Sequence, residues 1–319
     1  MKIIITGALG HIGSHLIRRL PDFFDHPEII MIDNLSTQRY ASLFNLPANA
    51  TYRFIEADVT QDKTNLIDIF KGADVVIHLA AITNAAASFD CADEVERVNY
   101  TATQKVAIAC ATAQVPLIMA SSTSVYGTQA TQVDENCTKE ELKPQSPYAE
   151  TKLKEEAFIT EKCQNDNLRA VIFRFGTIYG KSIGMRFHTA VNKFCWQAVM
   201  GQPVTVWKTA YHQKRPYLAL DDAIRAIAFV IQHTIFDGQV YNVVTSNVTV
   251  AQVVDAIKQH VPTLEVNFVE NQIMNQLSYE VLNTRLRKVG FEPQGNLEAG
   301  ITETIAILSV HSHVIHQRW

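Results

Sequence analysis

The sequence predicts an α/β protein built on an open, doubly wound parallel sheet, with a second, smaller lobe. Three observations carry this prediction. Short, almost continuously apolar runs recur along the first half of the chain, as in strands buried on both faces of a sheet. Segments with apolar residues three and four positions apart, typical of helices, lie between these runs. A glycine-rich turn over residues 6–13 joins the first run to the first helical segment, and the strand–helix alternation requires right-handed crossovers.

The elements follow from this pattern in chain order. Strands are predicted over the β-branched, apolar runs at residues 2–6, 28–33, 52–59, 74–81, 116–122 and 169–176, and helices over residues 11–20, 63–70, 94–113 and 148–162. After residue 176 glycines and prolines interrupt the pattern, with a helix predicted near 186–200 and a strand over 203–207. The alternation of strand-like and helix-like segments returns at residues 217–220, 221–233 and 240–244. We therefore expect a sheet domain over residues 1–176, rejoined by 217–245, and a substrate-binding lobe over 177–216 and 246–319.

Composition excludes several classes of protein. The chain has 319 residues, 47% hydrophobic and 19% charged, which is too apolar for a disordered protein, and no apolar run reaches the ~18 residues of a membrane span. Its net charge of −4 leaves no basic excess for nucleic acid. Five scattered cysteines without a CxxC pair, and an N-terminus without an export signal, predict reduced thiols in the cytoplasm. His311, His313 and His316 lack a recognised ligand spacing, so we interpret them as a solvated tail and expect no metal.

The glycine-rich turn predicts a dinucleotide site. Gly7, Gly10 and Gly13 lie between a strand and a helix, where glycine permits a tight turn and close approach of the backbone to a pyrophosphate. Asp33 ends the second strand, and a carboxylate there accepts hydrogen bonds from ribose hydroxyls and repels the 2′-phosphate of NADP. Glycines that merely turn a strand into a helix are the alternative. We therefore expect NAD, in contact with Gly7, Gly10, His11, Ile12, Gly13, Asp33, Asn34, Asp58, Val59, Leu79, Ala80 and Ala81.

A second group of residues predicts hydride chemistry. Tyr148 and Lys152 lie four positions apart on a predicted helix, so their side chains share one face. A neighbouring ammonium favours the phenolate, which makes Tyr148 the candidate proton carrier, and Lys152 can also reach the nicotinamide ribose. Alone, such a pair is usually an exposed helix face. Here the fifth strand ends in a cluster of hydroxyl side chains at the ligand-binding edge of the sheet, where Ser122 can hydrogen-bond a substrate hydroxyl.

Together these residues resemble the extended short-chain dehydrogenase/reductases, in particular the UDP-glucose 4-epimerase-like nucleotide-sugar epimerases and dehydratases. The matching motifs lie at residues 6–13, 33–34, 58, 78–81, 99, 122–127, 148–152, 174–180, 215–222 and 289–293. The resemblance implies a Rossmann sheet and a catalytic triad of Ser122, Tyr148 and Lys152. It also implies that Asn99 lies near the nicotinamide end of the cofactor.

The residues after Ser122 bear on the reaction. Dehydratases of this family carry Asp and Glu at these two positions, whereas this chain has Thr123 and Ser124, which cannot readily supply that acid–base pair. The pattern therefore favours NAD-dependent epimerisation of a nucleotide sugar through a 4-keto intermediate, with C4 of a UDP-hexose as the favoured position. Thr83, Thr123, Thr177 and Arg215 are the expected substrate contacts, with Arg215 on the diphosphate.

Departures from the family pattern leave the substrate open. Thr177 replaces a frequent Asn, Pro216 replaces a common Asp, and Ala102 replaces a glycine. Alternatives are an NAD(H)-dependent oxidoreductase, or another enzyme of the same family, that acts on a different secondary alcohol, and a catalytically silent NAD-binding regulator. By analogy with the family, the helices at 94–113 and 148–162 predict a homodimer.

Overall fold

The structure is a computed structural model that describes residues 1–127, 131–270 and 278–312. In chain order the strands are β1 Lys2–Thr6, β2 Glu28–Asp33, β3 Thr51–Glu56, β4 Val75–His78, β5 Leu117–Ser122, β6 Gln132–Val133, β7 Ala170–Phe175, β8 Thr177–Tyr179, β9 Val204–Trp207, β10 Lys214–Ala219, β11 Val240–Val243, β12 Ser246–Thr249, β13 Val266–Val269 and β14 Glu280–Val281. The α-helices are α1 His11–Arg19, α2 Leu66–Phe70, α3 Ala92–Ala113, α4 Pro147–Asn165, α5 Ala190–Val199, α6 Leu220–Gln232, α7 Val250–Lys258, α8 Thr284–Lys288 and α9 Leu297–Ser312.

A seven-stranded, fully parallel sheet forms the centre of the fold, in the order β11-β7-β5-β4-β1-β2-β3. The chain builds outward from β1 through β2 to β3, then crosses to β4 on the other side of β1. This change of direction opens a crevice at the carboxyl ends of β1 and β4, the place where ligands bind in doubly wound sheets. The predicted fold class is confirmed.

Both faces of the sheet are covered by helices. Along β1, Ile3 and Ile5 pack into one apolar core with residues of α1 and α6, while Ile4 points into a second core with residues of α2, α3 and α4. Side chains alternate between the faces of a strand, so a strand covered on both sides must be apolar at every position. This explains why the strands could be predicted from continuous apolar runs.

The smaller lobe contains a three-stranded sheet, β12-β10-β8, and the β13–β9 pair, packed with α5, α7 and α9 around a third core. Its boundaries differ from the sequence prediction at two places. The run predicted at residues 217–220 belongs to β10, which pairs with β8 and β12 and does not rejoin the main sheet. Strands β5 and β11 already occupy both edges of β7, so the main sheet has no place there for β10. In addition, Leu286 and Phe291 pack into the core of the main sheet, outside the lobe to which 246–319 was assigned.

Candidate active site

A cavity of about 760 Å³ lies at the carboxyl edge of the main sheet, between the sheet and the smaller lobe. Its walls come from the ends of β1 to β5 and β7, from α4 and from segments of the lobe. The lining contains all but one of the predicted site residues: Gly7, Gly10, His11, Ile12, Gly13, Asp33, Asn34, Asp58, Val59, Leu79, Ala80, Ala81, Thr83, Ser122, Thr123, Tyr148, Lys152, Thr177 and Arg215.

Asn99 is the exception. Its buried side chain forms two hydrogen bonds with the backbone of Ile82, accepting from the amide at 2.7 Å and donating to the carbonyl at 2.8 Å. These bonds fix the segment after β4, which carries Ala80, Ala81 and Thr83. Asn99 thus lies behind the cavity wall, where it holds a wall segment in position.

The three glycines of the turn have different surroundings. Gly7 has a positive φ of +68°, and a Cβ there would lie 2.6 Å from the amide nitrogen of Ala80. A Cβ on Gly13 would lie 2.5 Å from the carbonyl oxygen of Gly7. At Gly10 the nearest protein atom would be 3.4 Å away, so packing of the protein itself does not exclude a side chain there. Gly10 lines the cavity at the start of α1, and no side chain caps this helix end. Backbone N–H groups at this uncapped helix end can bind an anion such as a pyrophosphate.

Carboxylates lie at the ends of β2 and β3. Asp33 accepts hydrogen bonds from the amides of Leu9 and Leu35, each at 3.0 Å, and so ties the glycine turn to the end of β2. Burial tends to raise the pKa of Asp58, but hydrogen bonds from Thr60 and Asn34 outweigh it and hold the pKa below the usual value. Both carboxylates keep acceptor capacity toward the cavity, which fits ribose hydroxyls and the base of a dinucleotide.

Ser122, Tyr148 and Lys152 come together at the opposite side of the cavity. Pro147 begins α4, and the Ser146 side chain caps it by accepting from the Ala149 amide at 3.2 Å. This start places Tyr148 beside Ser122 in the cavity lining, where Ser122 is one of the groups that lower the pKa of Tyr148, and the Lys152 Nζ lies 5.9 Å from the centre of the Tyr148 ring. The three side chains that the sequence singled out for hydride chemistry therefore lie in one part of the cavity.

The charges around Tyr148 oppose one another. Burial raises the pKa of Tyr148, the Lys152 ammonium lowers it, and Glu155 raises it again, so the net pKa lies above that of an ordinary phenol. Burial lowers the pKa of Lys152, but Glu155, together with Tyr148 and Glu156, more than compensates, so the net pKa is raised. In the protein without ligand, Tyr148 is therefore a neutral phenol and Lys152 an ammonium near neutral pH.

Four basic side chains line the cavity beside the glycine turn: His11, Arg39, Arg186 and His188. Burial and the nearby arginines lower the pKa of His11 to about 3 and that of His188 to about 4. Burial, with Arg39 as a second cause, lowers the pKa of Arg186 to about 10, which leaves it charged. Arg186 also donates a hydrogen bond to the Thr83 hydroxyl.

Sequence reasoning missed Arg186 and His188 as site residues, because residues 186–200 were predicted as one helix. The helix begins only at Ala190, and the preceding segment crosses the glycine turn. There the Ser182 hydroxyl is hydrogen-bonded to His11 Nδ1 at 2.7 Å, and a Cβ on Gly184 would lie 2.5 Å from the carbonyl oxygen of Leu9. The closely spaced Gly180 and Gly184 were the available signal for a loop.

The smaller lobe closes the far end of the cavity. Arg215, on β10, lies with its guanidinium 5.7 Å from the centre of the Tyr279 ring and donates to Gln213 Oε1 at 2.6 Å. Trp207 and Tyr279 add aromatic surface to this part of the lining, and Thr177 adds a hydroxyl. The region offers the Arg215 cation beside flat aromatic faces, a combination suited to a phosphorylated nucleoside.

Two other properties of the described residues bear on function. No group of three His, Cys, Asp or Glu side chains among them is arranged to hold a metal ion. No helix within the same residues combines the length and hydropathy needed to cross a bilayer. His313, His316 and the side chain of His311, interpreted above as a solvated tail, lie outside the described residues.

Comparison with known proteins gives the family. The NAD dependent epimerase/dehydratase family matches residues 3–243, about three quarters of the chain. The chain belongs to this family. It is 28% identical to the uncharacterized UDP-glucose epimerase YtcB of Bacillus subtilis, covering 97% of this chain and 98% of that protein. Over 95% of this chain, the identity is 29% to the trifunctional UDP-glucose 4,6-dehydratase/UDP-4-keto-6-deoxy-D-glucose 3,5-epimerase/UDP-4-keto-L-rhamnose-reductase RHM2 of Arabidopsis thaliana. The chain spans only 46% of the length of that protein.

The family assignment agrees with the fold. The structure of MoeE5 in complex with UDP-glucuronic acid and NAD is 27% identical to this chain, covers 96% of it and 98% of its own chain, and superposes with a TM-score of 0.82. NAD is the cofactor of the epimerase/dehydratase family. The open backbone at Gly10 and the carboxylate of Asp33 fit a dinucleotide of this kind.

Proposed function

We propose that this epimerase/dehydratase family member inverts C4 of a nucleotide sugar, a UDP-hexose, by transient oxidation to a 4-keto sugar. The observation that carries this proposal is the convergence of Ser122, Tyr148 and Lys152 on a cavity in which hydroxyls follow Ser122. A catalytically silent NAD-binding protein would have no need of these three side chains together.

The acidic residues of the cavity argue against dehydration. Among the described residues that line it, the carboxylates are Asp33 and Asp58, at the ends of β2 and β3. Thr123 donates its hydroxyl to the carbonyl of Phe175, and Ser124 donates its own to Ser122 Oγ at 2.9 Å. Removal of water from a sugar needs a general acid and a general base beside the ring. The hydroxyls at these positions favour the epimerase reaction over that of the dehydratase relatives.

The proton chemistry is assigned to the chain's own residues. The chemistry that bound NAD would supply is reversible acceptance of the hydride from C4. As the phenolate, which the Lys152 ammonium favours and the positive nicotinamide ring of bound NAD would favour further, Tyr148 takes the proton of the C4 hydroxyl as the carbonyl forms, and gives it back after the sugar has turned over. Ser122 hydrogen-bonds the same oxygen, and Lys152 holds a ribose hydroxyl with a donor that Glu155 does not use.

Binding roles follow from the positions of the lining residues. We assign the pyrophosphate of NAD to the turn at Gly7, Gly10 and Gly13, and the adenosine to Asp33 and Asp58. The remaining predicted cofactor contacts, His11, Ile12, Asn34, Val59, Leu79, Ala80 and Ala81, line the same part of the cavity.

The substrate is assigned to the other end of the cavity. Arg215 is placed on the diphosphate, with Thr83, Thr123 and Thr177 around the sugar. A UDP-sugar is supported by the ligand of the MoeE5 structure and by the name of the Bacillus relative. A homodimer through α3 and α4, which pack against each other, remains part of the proposal.

The reaction is tested by incubating the protein and NAD with UDP-glucose, UDP-galactose, their N-acetyl forms and UDP-glucuronate. We expect proton NMR to show the C4 epimer of at least one of them, without net formation of NADH. Accumulation of NADH in proportion to product would indicate an oxidoreductase, and loss of water would indicate a dehydratase. Either of these results, or no conversion of any of the five, contradicts the proposal.

A further inference from the structure

Lys152 has a buried partner that the chemistry above does not use. Its Nζ lies 2.8 Å from Oε2 of Glu155, one helical turn further along α4. The side chains of the two residues are 5% and 1% exposed, so solvent does not screen this ion pair. A carboxylate is rarely buried so completely unless it is paired, and here the partner is a residue of the proposed catalytic triad.

The Glu155 carboxylate is held from one side only. The Thr103 hydroxyl, on α3, donates to Oε2 at 2.9 Å, the same oxygen that receives Lys152. The other oxygen, Oε1, is buried and has no hydrogen-bond partner within the described structure. A buried acceptor without a partner is unfavourable for folding, so this arrangement is not explained by stability alone.

We propose that Glu155 is a positioning residue that holds the Lys152 ammonium in place and, by balancing its charge, keeps Tyr148 protonated in the protein without bound cofactor. The inference rests on the proposed roles of Tyr148 and Lys152. This role explains why the Glu155 carboxylate is buried beside Lys152, which neither the chemistry of the triad nor the packing of α4 explains.

The charge balance determines the direction of the effect. With Tyr148 as a phenol, the cluster of Tyr148, Lys152 and Glu155 is neutral, and loss of one proton leaves a net negative charge in a buried site. If Glu155 becomes glutamine, the same cluster starts at +1 and becomes neutral when the proton leaves. The first proton is therefore lost at a lower pH, whichever of the two coupled groups releases it.

The other charged and titratable groups around the cluster do not reverse the direction of this effect. Arg186, from the segment before α5, faces Tyr148 and remains charged, so it adds the same positive charge whether residue 155 is Glu or Gln. His78, on β4, is buried beside Lys152, with a pKa lowered to about 3 by burial, and stays neutral. Glu156 is neutralised by its bidentate ion pair with Arg174 on β7, at 2.7 and 2.9 Å.

The test follows the ionisation of Tyr148 directly and needs no substrate. The full-length chain, freed of NAD and labelled with ¹³Cζ-tyrosine, is titrated by NMR, and the Tyr148 signal is assigned from the Tyr148→Phe variant. We expect Glu155→Gln to lower the midpoint of this titration by about one to two pH units relative to wild type. Glu155→Asp, which keeps the charge, should stay near wild type. The matched control is Glu161→Gln, which removes an exposed carboxylate from the same helix and should change nothing.

The outcomes separate this inference from the proposed reaction. A Glu155→Gln midpoint equal to that of Glu161→Gln would overturn the role of Glu155, even if the enzyme epimerises sugars. If Glu155→Gln does not fold, the wild-type titration decides: a Tyr148 midpoint below the ordinary phenol value of about 10 contradicts the inference. In the NAD-loaded enzyme, the acid limb of kcat/KM should move to lower pH in Glu155→Gln, which loss of a purely structural contact would not cause.

Discussion

Asp33 connects the fold to cofactor choice at the scale of a single residue. Its carboxylate ties the glycine turn to β2, and its charge acts on the nearby Arg39 guanidinium. In the sequence, Asp33 could be identified from its distance to the glycines, whereas Arg39, six residues further on, carried no comparable signal. Burial lowers the pKa of Arg39, but it remains a cation in the cavity wall.

Replacing Asp33 by alanine should relax the discrimination against NADP. The variant removes the negative charge that repels a 2′-phosphate and leaves Arg39 available to it. We expect the ratio of the NADP and NAD dissociation constants, measured by calorimetric titration, to fall at least about tenfold, a change of about 1.4 kcal/mol. The ratio is compared because Asp33→Ala also removes two hydrogen bonds to the backbone, which should weaken the binding of both dinucleotides alike. Asp25→Ala, at an exposed loop position, is the control, and an unchanged ratio in Asp33→Ala would remove the ribose assignment.

Other single residues show why only part of the site could be predicted from the sequence. Tyr148 and Lys152 are four apart on one helix, so their proximity follows from helical geometry. Asn99 was expected near the nicotinamide, but its contact with Ile82 depends on the path of the chain after β4. The position of the Glu155 carboxylate depends likewise on its hydrogen bond from Thr103, which is close only because α3 packs on α4.

Among the secondary-structure elements, the predictions are correct where the local sequence alone determines the structure. Strands β1 and β2 have the predicted bounds, because continuous apolar runs mark strands covered on both faces. The helix predicted over 63–70 is only Leu66–Phe70, since Asn65 caps its start by accepting from the Asp68 amide. The pairing of β10 could not be read from its residues, because an apolar run looks the same in either sheet.

Alanine substitutions at Gly10 and Gly7 should affect NAD binding and stability differently. Gly10→Ala should weaken NAD binding at least about tenfold, because its Cβ would enter the cavity, while the free energy of unfolding changes by less than about 1 kcal/mol. Gly7→Ala should instead destabilise the fold by ~1–3 kcal/mol, because of its positive φ and the close Ala80 backbone. Thermal melts and NAD titrations of both variants check this contrast. Equal NAD affinity in wild type and Gly10→Ala would show that the cofactor does not approach the turn.

At the scale of the whole molecule, the site is completed by parts that are distant in sequence. Arg186 and Ser182 reach the glycine turn from about 170 residues away, and Arg215 and Tyr279 close the opposite end. No local sequence pattern predicts these long-range contacts, because they depend on how the smaller lobe packs against the sheet. The sequence therefore predicted the sheet and the glycine turn better than the end of the cavity at Arg215 and Tyr279.

Turnover by Tyr148→Phe is the most direct test of the proton-carrier role on which the proposed reaction depends. This substitution removes one hydroxyl and leaves the buried ring, so NAD affinity should remain within about threefold of wild type. Epimerisation of the accepted UDP-sugar, followed by proton NMR, should fall by about 10²-fold or more, the usual contribution of a general acid–base group. A variant that binds NAD normally and still epimerises at a rate close to wild type would contradict the assignment of Tyr148.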